Sequence, residues 1–185
     1  MEIGGLLLAA GAGRRYGMPK ALASHDGEKL VRRGAATLAA AGCSPVLVVI
    51  GAAADDVRAI APELSYVDNP EWATGMGSSL RAGLAAFEET TADAVVVLLV
   101  DMPGVTADAV KRVARHAAPD ALVMGGYGDR RGHPVVLGRE HWKGVASTAT
   151  GDWGARDYLR AHADRLRIEP VGDVADDFDL DVPHA

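Results

Sequence analysis

The stretch Ile3-Gly-Gly-Leu-Leu-Leu-Ala-Ala-Gly-Ala-Gly-Arg-Arg-Tyr-Gly-Met-Pro-Lys20 passes from an apolar run straight into a glycine-rich, basic loop. Ile3–Ala9 reads as a buried strand, because it has no polar alternation and is too short for a core helix. Gly11 and Gly13 permit a tight turn with backbone N–H groups exposed, and Arg14, Arg15 and Lys20 add positive charge beside it. A strand that ends in such a loop is a ready phosphate site.

Working outward, β-branched runs alternate with alanine-rich stretches of helical length. Strands are expected at Ile3–Ala9, Pro45–Ile50, Leu64–Val67, Ala94–Val100, Ala121–Met124, Pro134–Leu137 and Arg167–Pro170. Helices are expected at Lys29–Ala41, Ala54–Ile60, Ser78–Glu88, Ala107–Ala117 and Gly154–His162. This alternation predicts an α/β fold with three layers, a mostly parallel sheet carrying helices on both faces. Ligands then collect beyond the carboxyl ends of the strands.

Two familiar phosphate loops fail on spacing. A Walker A loop needs Lys directly after Gly and then Ser or Thr, whereas Met18 and Pro19 separate Gly17 from Lys20, and Ala21 follows. A dinucleotide fingerprint needs its third Gly where Tyr16 stands. Nor does the second strand end in an acidic residue for a ribose, since Gly51 and Ala52 follow Ile50.

The strand Ala94–Val100 is followed by Asp101-Met102-Pro103. A carboxylate at the end of an apolar strand is costly unless something pairs with it. Thr106 and Asp108 serve the next helix start better than Asp101 does, which leaves Asp101 as a magnesium ligand of the kind that shares Mg2+ with substrate phosphates. Farther on, Gly75-Met-Gly-Ser-Ser79 leads into a helix that Ser78 or Ser79 can cap, its free N–H groups facing an anion or a polar ring. Trp72 reads as a packing residue, and His133 as a residue of the binding site rather than a catalyst.

Composition bounds the function. The 185 residues suit a single domain over 1–185, with 49% apolar residues to fill its core. A net charge of -6 argues against a general nucleic-acid or anionic-membrane surface. One cysteine, Cys43, allows no intrachain disulfide and reads as a packed core residue. No apolar run is long enough to span a bilayer, and the expected location is the cytoplasm.

Leu8-Ala-Ala-Gly-Ala-Gly-Arg-Arg-Tyr-Gly-Met-Pro-Lys20 resembles the signature loop of the MobA-like nucleotidyltransferases, with the closest likeness to their molybdenum-cofactor cytidylyltransferase branch. The Asp101-Met-Pro103 strand end matches the same superfamily. Gly-Met-Gly-Ser-Ser79 resembles the branch, and Arg130-Arg-Gly-His-Pro134 and Gly151-Asp-Trp-Gly-Ala-Arg156 both resemble its acceptor-side motifs. The resemblance implies a Rossmann-like fold and a nucleoside triphosphate, CTP rather than GTP, held by Leu8, Ala9, Ala10, Gly11, Ala12 and Gly13 with Gly75, Ser78 and Ser79. It implies charge stabilisation by Arg15 and Lys20, and magnesium on Asp101. Asp179-Leu-Asp-Val-Pro183 resembles the closing Asp-x-Asp-Thr-Pro element, which makes Asp181 a second metal ligand, although Val182 replaces the Thr.

By that resemblance the acceptor is a phosphorylated small molecule such as molybdopterin, and a molybdoenzyme is the downstream partner. Two other functions fit the same residues. One is an NAD(P)H-dependent oxidoreductase of the nicotine-blue reductase type. The other is a nucleotide-binding accessory protein for molybdenum hydroxylase maturation.

Overall fold

The computed structural model describes residues 1–181. Among the described residues nine strands form in chain order: β1 Ile3–Leu8, β2 Ser24–His25, β3 Glu28–Lys29, β4 Val46–Ile50, β5 Ser65–Asp68, β6 Ala94–Leu99, β7 Leu122–Tyr127, β8 Arg130–Gly138 and β9 Leu166–Pro170. The α-helices are α1 Leu30–Ala40, α2 Ala54–Ile60, α3 Met76–Glu88, α4 Ala107–Ala114, α5 Trp142–Thr148 and α6 Arg156–Ala161.

Seven strands make one sheet in the order β5-β4-β1-β6-β8-β7-β9, while β2 and β3 form a separate small hairpin. All pairings in the large sheet are parallel except those of β8, which runs antiparallel to β6 and β7. The expected three-layer, mostly parallel α/β architecture is therefore present. Its antiparallel strand follows from the Gly128-Asp129 turn, which folds β8 directly back on β7.

The period-two geometry of strands divides β1 between two cores. Leu7 packs with Val48, Ile50, Val96 and Leu98 beneath α1, α2 and α4. Leu6 and Leu8 pack with Val49, Val95 and Val97 beneath α3, α5 and α6. Two glycines set how closely helices approach this strand. A Cβ on Gly34 of α1 would lie 2.7 Å from Leu7, and one on Gly83 of α3 would lie 2.5 Å from Leu6. Each Leu of the strand is thus clamped against helix backbone. Truncating one to Ala would cost about 2–5 kcal/mol.

The chain leaves β1 in one direction towards β4 and β5, then returns to build β6, β8, β7 and β9 on the other side. The sheet consequently opens a crevice at the carboxyl ends of β1 and β6. Leu8 and Leu99 are register partners at those ends, so the residues after each strand emerge side by side.

Some expectations shift. The helix expected at Ala107–Ala117 ends at Ala114, and the one expected at Gly154–His162 runs only over Arg156–Ala161. Ser78 and Ser79 do not cap α3, whose N-cap is Gly75 with no side-chain cap bond. Both hydroxyls instead accept from the buried Asn69 Nδ2, at 2.8 and 2.9 Å. No described helix is long and apolar enough to cross a membrane.

Candidate active site

The loop after β1 folds by glycine geometry. Gly13 has φ +63°, where L side chains are strained, and a Cβ there would sit 1.8 Å from the Met18 carbonyl oxygen. The Gly17 N–H closes this turn by donating to Gly13 O at 2.8 Å. Gly11 differs: a Cβ added there meets nothing within 4 Å. Among the described residues, the amides of Ala10, Gly11, Ala12 and Gly13 donate to no protein acceptor. Exposed donors on a loop free of side chains form a cradle for anions.

That cradle lines a cavity of about 400 Å³ together with Leu8, Ala9, Arg14, Lys20, Trp72, Gly75, Met76, Ser79, Asp101 and Asp152. Most of the residues expected to bind nucleotide are therefore gathered in one wall. Ser78 is not in that wall, since its hydroxyl also donates to carbonyls at Glu71 and Gly75. Arg15 is exposed and also outside the wall, whereas its neighbour Arg14 is in it. Trp72 both packs, with its Cβ 2.4 Å from where a Gly51 Cβ would stand, and lines the cavity.

The charged centre lies where β1 and β6 end. Lys20 Nζ donates to Asp101 Oδ2 at 2.9 Å and stands 3.9 Å from Asp181 Oδ1. Asp101 is no helix cap, because Thr106 caps α4 by accepting from Ala109 N at 3.2 Å. The partner that a carboxylate at the end of an apolar strand requires is therefore Lys20. Asp181 arrives through the closing segment, in which buried Leu180 packs on Ala23 and Leu30 and donates its N–H to Asp101 O at 3.0 Å. Val182 and Pro183 of the closing element lie outside the described residues.

A metal fits this donor set. Two carboxylates on one cation, beside a phosphate cradle, match a magnesium site completed by substrate phosphates. Among the described residues no cluster of three or more metal-ligating side chains occurs.

Sequence reasoning missed Asp152 in the wall of the glycine-loop cavity. Its loop is held by α3. Gly77 N donates to Gly151 O at 2.8 Å, and Arg81 donates to the Ala149 carbonyl. The approach requires glycine at both 75 and 77: a Cβ on Gly75 would lie 2.5 Å from the Gly151 carbonyl, and one on Gly77 2.8 Å from Thr150 N. The Gly-Met-Gly spacing was the available signal. It marks a backbone contact rather than a flexible hinge.

A second cavity of about 480 Å³ adjoins the first, sharing Leu8 and Met76 with it. It holds Arg131, His133, Trp153 and Arg156. Burial pushes the His133 imidazole down to about 4, against an opposing pull from Asp101. His133 is consequently neutral at pH 7.

The model of the MobA-like NTP transferase domain matches residues 5–166. The chain belongs to that family. It is 42% identical over 166 residues to the nicotine blue oxidoreductase of Paenarthrobacter nicotinovorans, covering 84% of this chain and 80% of that protein. Among solved structures it resembles Rv0371c from Mycobacterium tuberculosis H37Rv, with a TM-score of 0.81 and 27% identity over 97% of this chain and 93% of that one. A structure of Rv0371c in complex with manganese gives a TM-score of 0.80 at 25% identity, over 97% and 94% of the two chains. Membership of this MobA-like family makes the chain a nucleotidyltransferase by family, with the Rossmann-like α/β fold described above.

Proposed function

We propose that this MobA-like protein, acting as a single domain over 1–185, moves a nucleoside monophosphate, CMP from CTP, onto a phosphorylated acceptor and releases pyrophosphate. Resemblance suggests molybdopterin as that acceptor, with a molybdoenzyme downstream. The observation that carries the reading is the juxtaposition of unbonded amides at Ala10–Gly13 with Lys20, Asp101 and Asp181 at the ends of two register-matched strands.

In the reaction, an oxygen of the acceptor phosphate attacks the α-phosphorus in line. The new P–O bond forms as the bond to the pyrophosphate oxygen breaks, and no protein nucleophile takes part. The loop amides hold the phosphates, so the attacked phosphorus is positioned before reaction. Lys20 and the loop arginines neutralise charge that grows on the leaving pyrophosphate. Bound Mg2+ supplies charge neutralisation across the phosphates, and Asp101 with Asp181 would hold it. Lys20 lines the same cavity, which places its charge beside the phosphates there. Arg14 stands in the wall where resemblance pointed to Arg15, so rates for Arg14→Ala and Arg15→Ala separate the two.

The test is pyrophosphate release from CTP with magnesium and molybdopterin, repeated with GTP and after chelation. Release that depends on CTP and metal supports the reading. Steady NADPH consumption without pyrophosphate favours a second one, reduction of a planar dye. The 42% identity to a nicotine blue oxidoreductase motivates that alternative.

A further inference from the structure

Among the described residues four polar side chains are buried, and three of them, Asn69, Ser78 and Ser79, meet in one cluster beside the glycine-loop cavity. Asn69 follows β5 and is pinned at both ends. Its backbone N–H donates to Ile50 O at the end of β4, at 2.8 Å, and Pro70 restricts its backbone to extended conformations. Its Oδ1 accepts from Glu71 N at 3.0 Å. A backbone N–H only donates, so the atom facing it is the amide oxygen, and the amide nitrogen faces the two serines.

That orientation decides what each hydroxyl does. Asn69 Nδ2 donates to Ser78 Oγ at 2.8 Å and to Ser79 Oγ at 2.9 Å, which uses both of its hydrogens. Ser78 passes its own hydrogen to a carbonyl, that of Gly75 at 2.8 Å or of Glu71 at 3.0 Å. Ser79 has no such acceptor among the described residues, and it alone of the pair lines the cavity. A ligand donor facing Ser79 would leave its hydrogen buried without a partner, whereas a ligand acceptor takes it.

The side of the cavity that holds Ser79 suits the neutral part of a nucleotide. Trp72, Ala73, Gly75 and Met76 stand with it, whereas both cations of the wall, Arg14 and Lys20, come from the chain that follows β1. The start of α3 is already occupied, because Gly77 N donates to Gly151 O at 2.8 Å. Asp152 Oδ1 lies 2.7 Å from where a Gly75 Cβ would stand, and its negative charge repels phosphate.

We propose that Asn69 is a positioning residue for nucleoside recognition. Its amide commits the Ser79 hydroxyl to donating, so the site selects a nucleoside that turns a ring nitrogen or carbonyl oxygen towards it. That a triphosphate carries this nucleoside rests on the nucleotidyl-transfer reading; the polarity set by Asn69 does not.

A double-mutant cycle on the full chain, read by calorimetric titration with CTP and with inorganic tripolyphosphate, each with magnesium, tests this. Ser79→Ala should weaken CTP about tenfold and leave tripolyphosphate within about twofold, as loss of one hydrogen bond to the nucleoside does. Asn69→Asp keeps the shape and the acceptor for Glu71 N, but a carboxylate only accepts, so it takes the hydrogen that Ser79 would give the ligand. It should weaken CTP about tenfold more in the wild-type background than alongside Ser79→Ala, with any general effect of the added charge common to both and cancelling. Tripolyphosphate should show no such difference. Where Asn69→Asp does not fold, Asn69→Ala runs the same cycle, with a difference of roughly threefold expected from the freed hydroxyl. A residue that only supports the fold would weaken CTP equally in both backgrounds. That result, or tripolyphosphate binding as tightly as CTP, would overturn the proposal. If the chain binds NADPH and no triphosphate, the transferase reading fails. The same cycle run with NADPH then decides the role of Asn69, which the difference between backgrounds supports and its absence overturns.

Discussion

The two adjoining cavities are built from different materials. The glycine-loop cavity offers backbone amides at Ala10–Gly13 and one compact charged cluster, whereas the second cavity offers aliphatic side chains and three unpaired guanidinium groups. A backbone site is rigid and recognises what every triphosphate shares. A side-chain site can change its ligand by substitution without touching the fold.

The largest effects should follow from breaking the charged cluster of the first cavity. Lys20→Ala should slow pyrophosphate release on the order of 100-fold or more, as loss of an electrostatic stabiliser does. Asp101→Asn should fall as far, and raise the magnesium concentration for half-activity. Because Lys20 pairs with Asp101 at 2.9 Å, removing the carboxylate should bring no gain in melting temperature. A metal-titrated rate assay with a parallel melt checks both.

Two glycines of one loop sharpen the contrast further. Gly13→Ala should destabilise by at least 1–2 kcal/mol, from the left-handed backbone alone, since φ is +63° and Met18 O blocks the Cβ. Gly11→Ala should leave the melt within about 0.5 kcal/mol, because nothing lies within 4 Å of its Cβ. Its added methyl projects into a wall of the cavity, so triphosphate affinity should fall about tenfold. Equal melts for the two variants would contradict this division of roles.

In the second cavity, Trp153→Ala should raise the acceptor KM several-fold and leave the CTP KM alone, because Asp152 and not Trp153 faces the nucleotide side. The smallest effect concerns His133. Burial lowers its folded value to about 4 from the ordinary 6.5, so the unfolded chain takes up a proton that the folded chain refuses. Its share of stability is complete above pH 6.5 and is lost as pH falls towards 4. His133→Gln should flatten that part of an acid-melting profile.

The sheet was legible because apolar runs such as Val46–Ile50 and Val95–Leu99 have no other stable home than a strand covered on both faces. The β2–β3 hairpin was not, although Asp26-Gly27 is a turn signal, because its strands are two residues long. The helix α5 also escaped. Gly144, Ser147 and Thr148 lower its propensity, and buried Trp142, beneath the Arg139 guanidinium at 4.9 Å, holds it by packing. At the candidate site, motif spacing singled out Lys20 and Asp101, and the fold brings their side chains to 2.9 Å of each other. Resemblance pointed to Arg15, whereas Arg14 stands in the cavity wall, and the directions of the two depend on how the turn closes at Gly13 and Gly17. Motif spacing could not find Asp152, which reaches the cavity only through contact between two loops distant in sequence.

On the proposed function, the glycine loop holds a nucleoside triphosphate with magnesium rather than a dinucleotide. Calorimetric titration of the wild-type chain with CTP, GTP and NADPH, each with and without magnesium, tests it directly. CTP should bind most tightly, its affinity should fall when magnesium is removed, and NADPH should bind weakly. Tight NADPH binding that ignores magnesium, with no heat from either triphosphate, would contradict it.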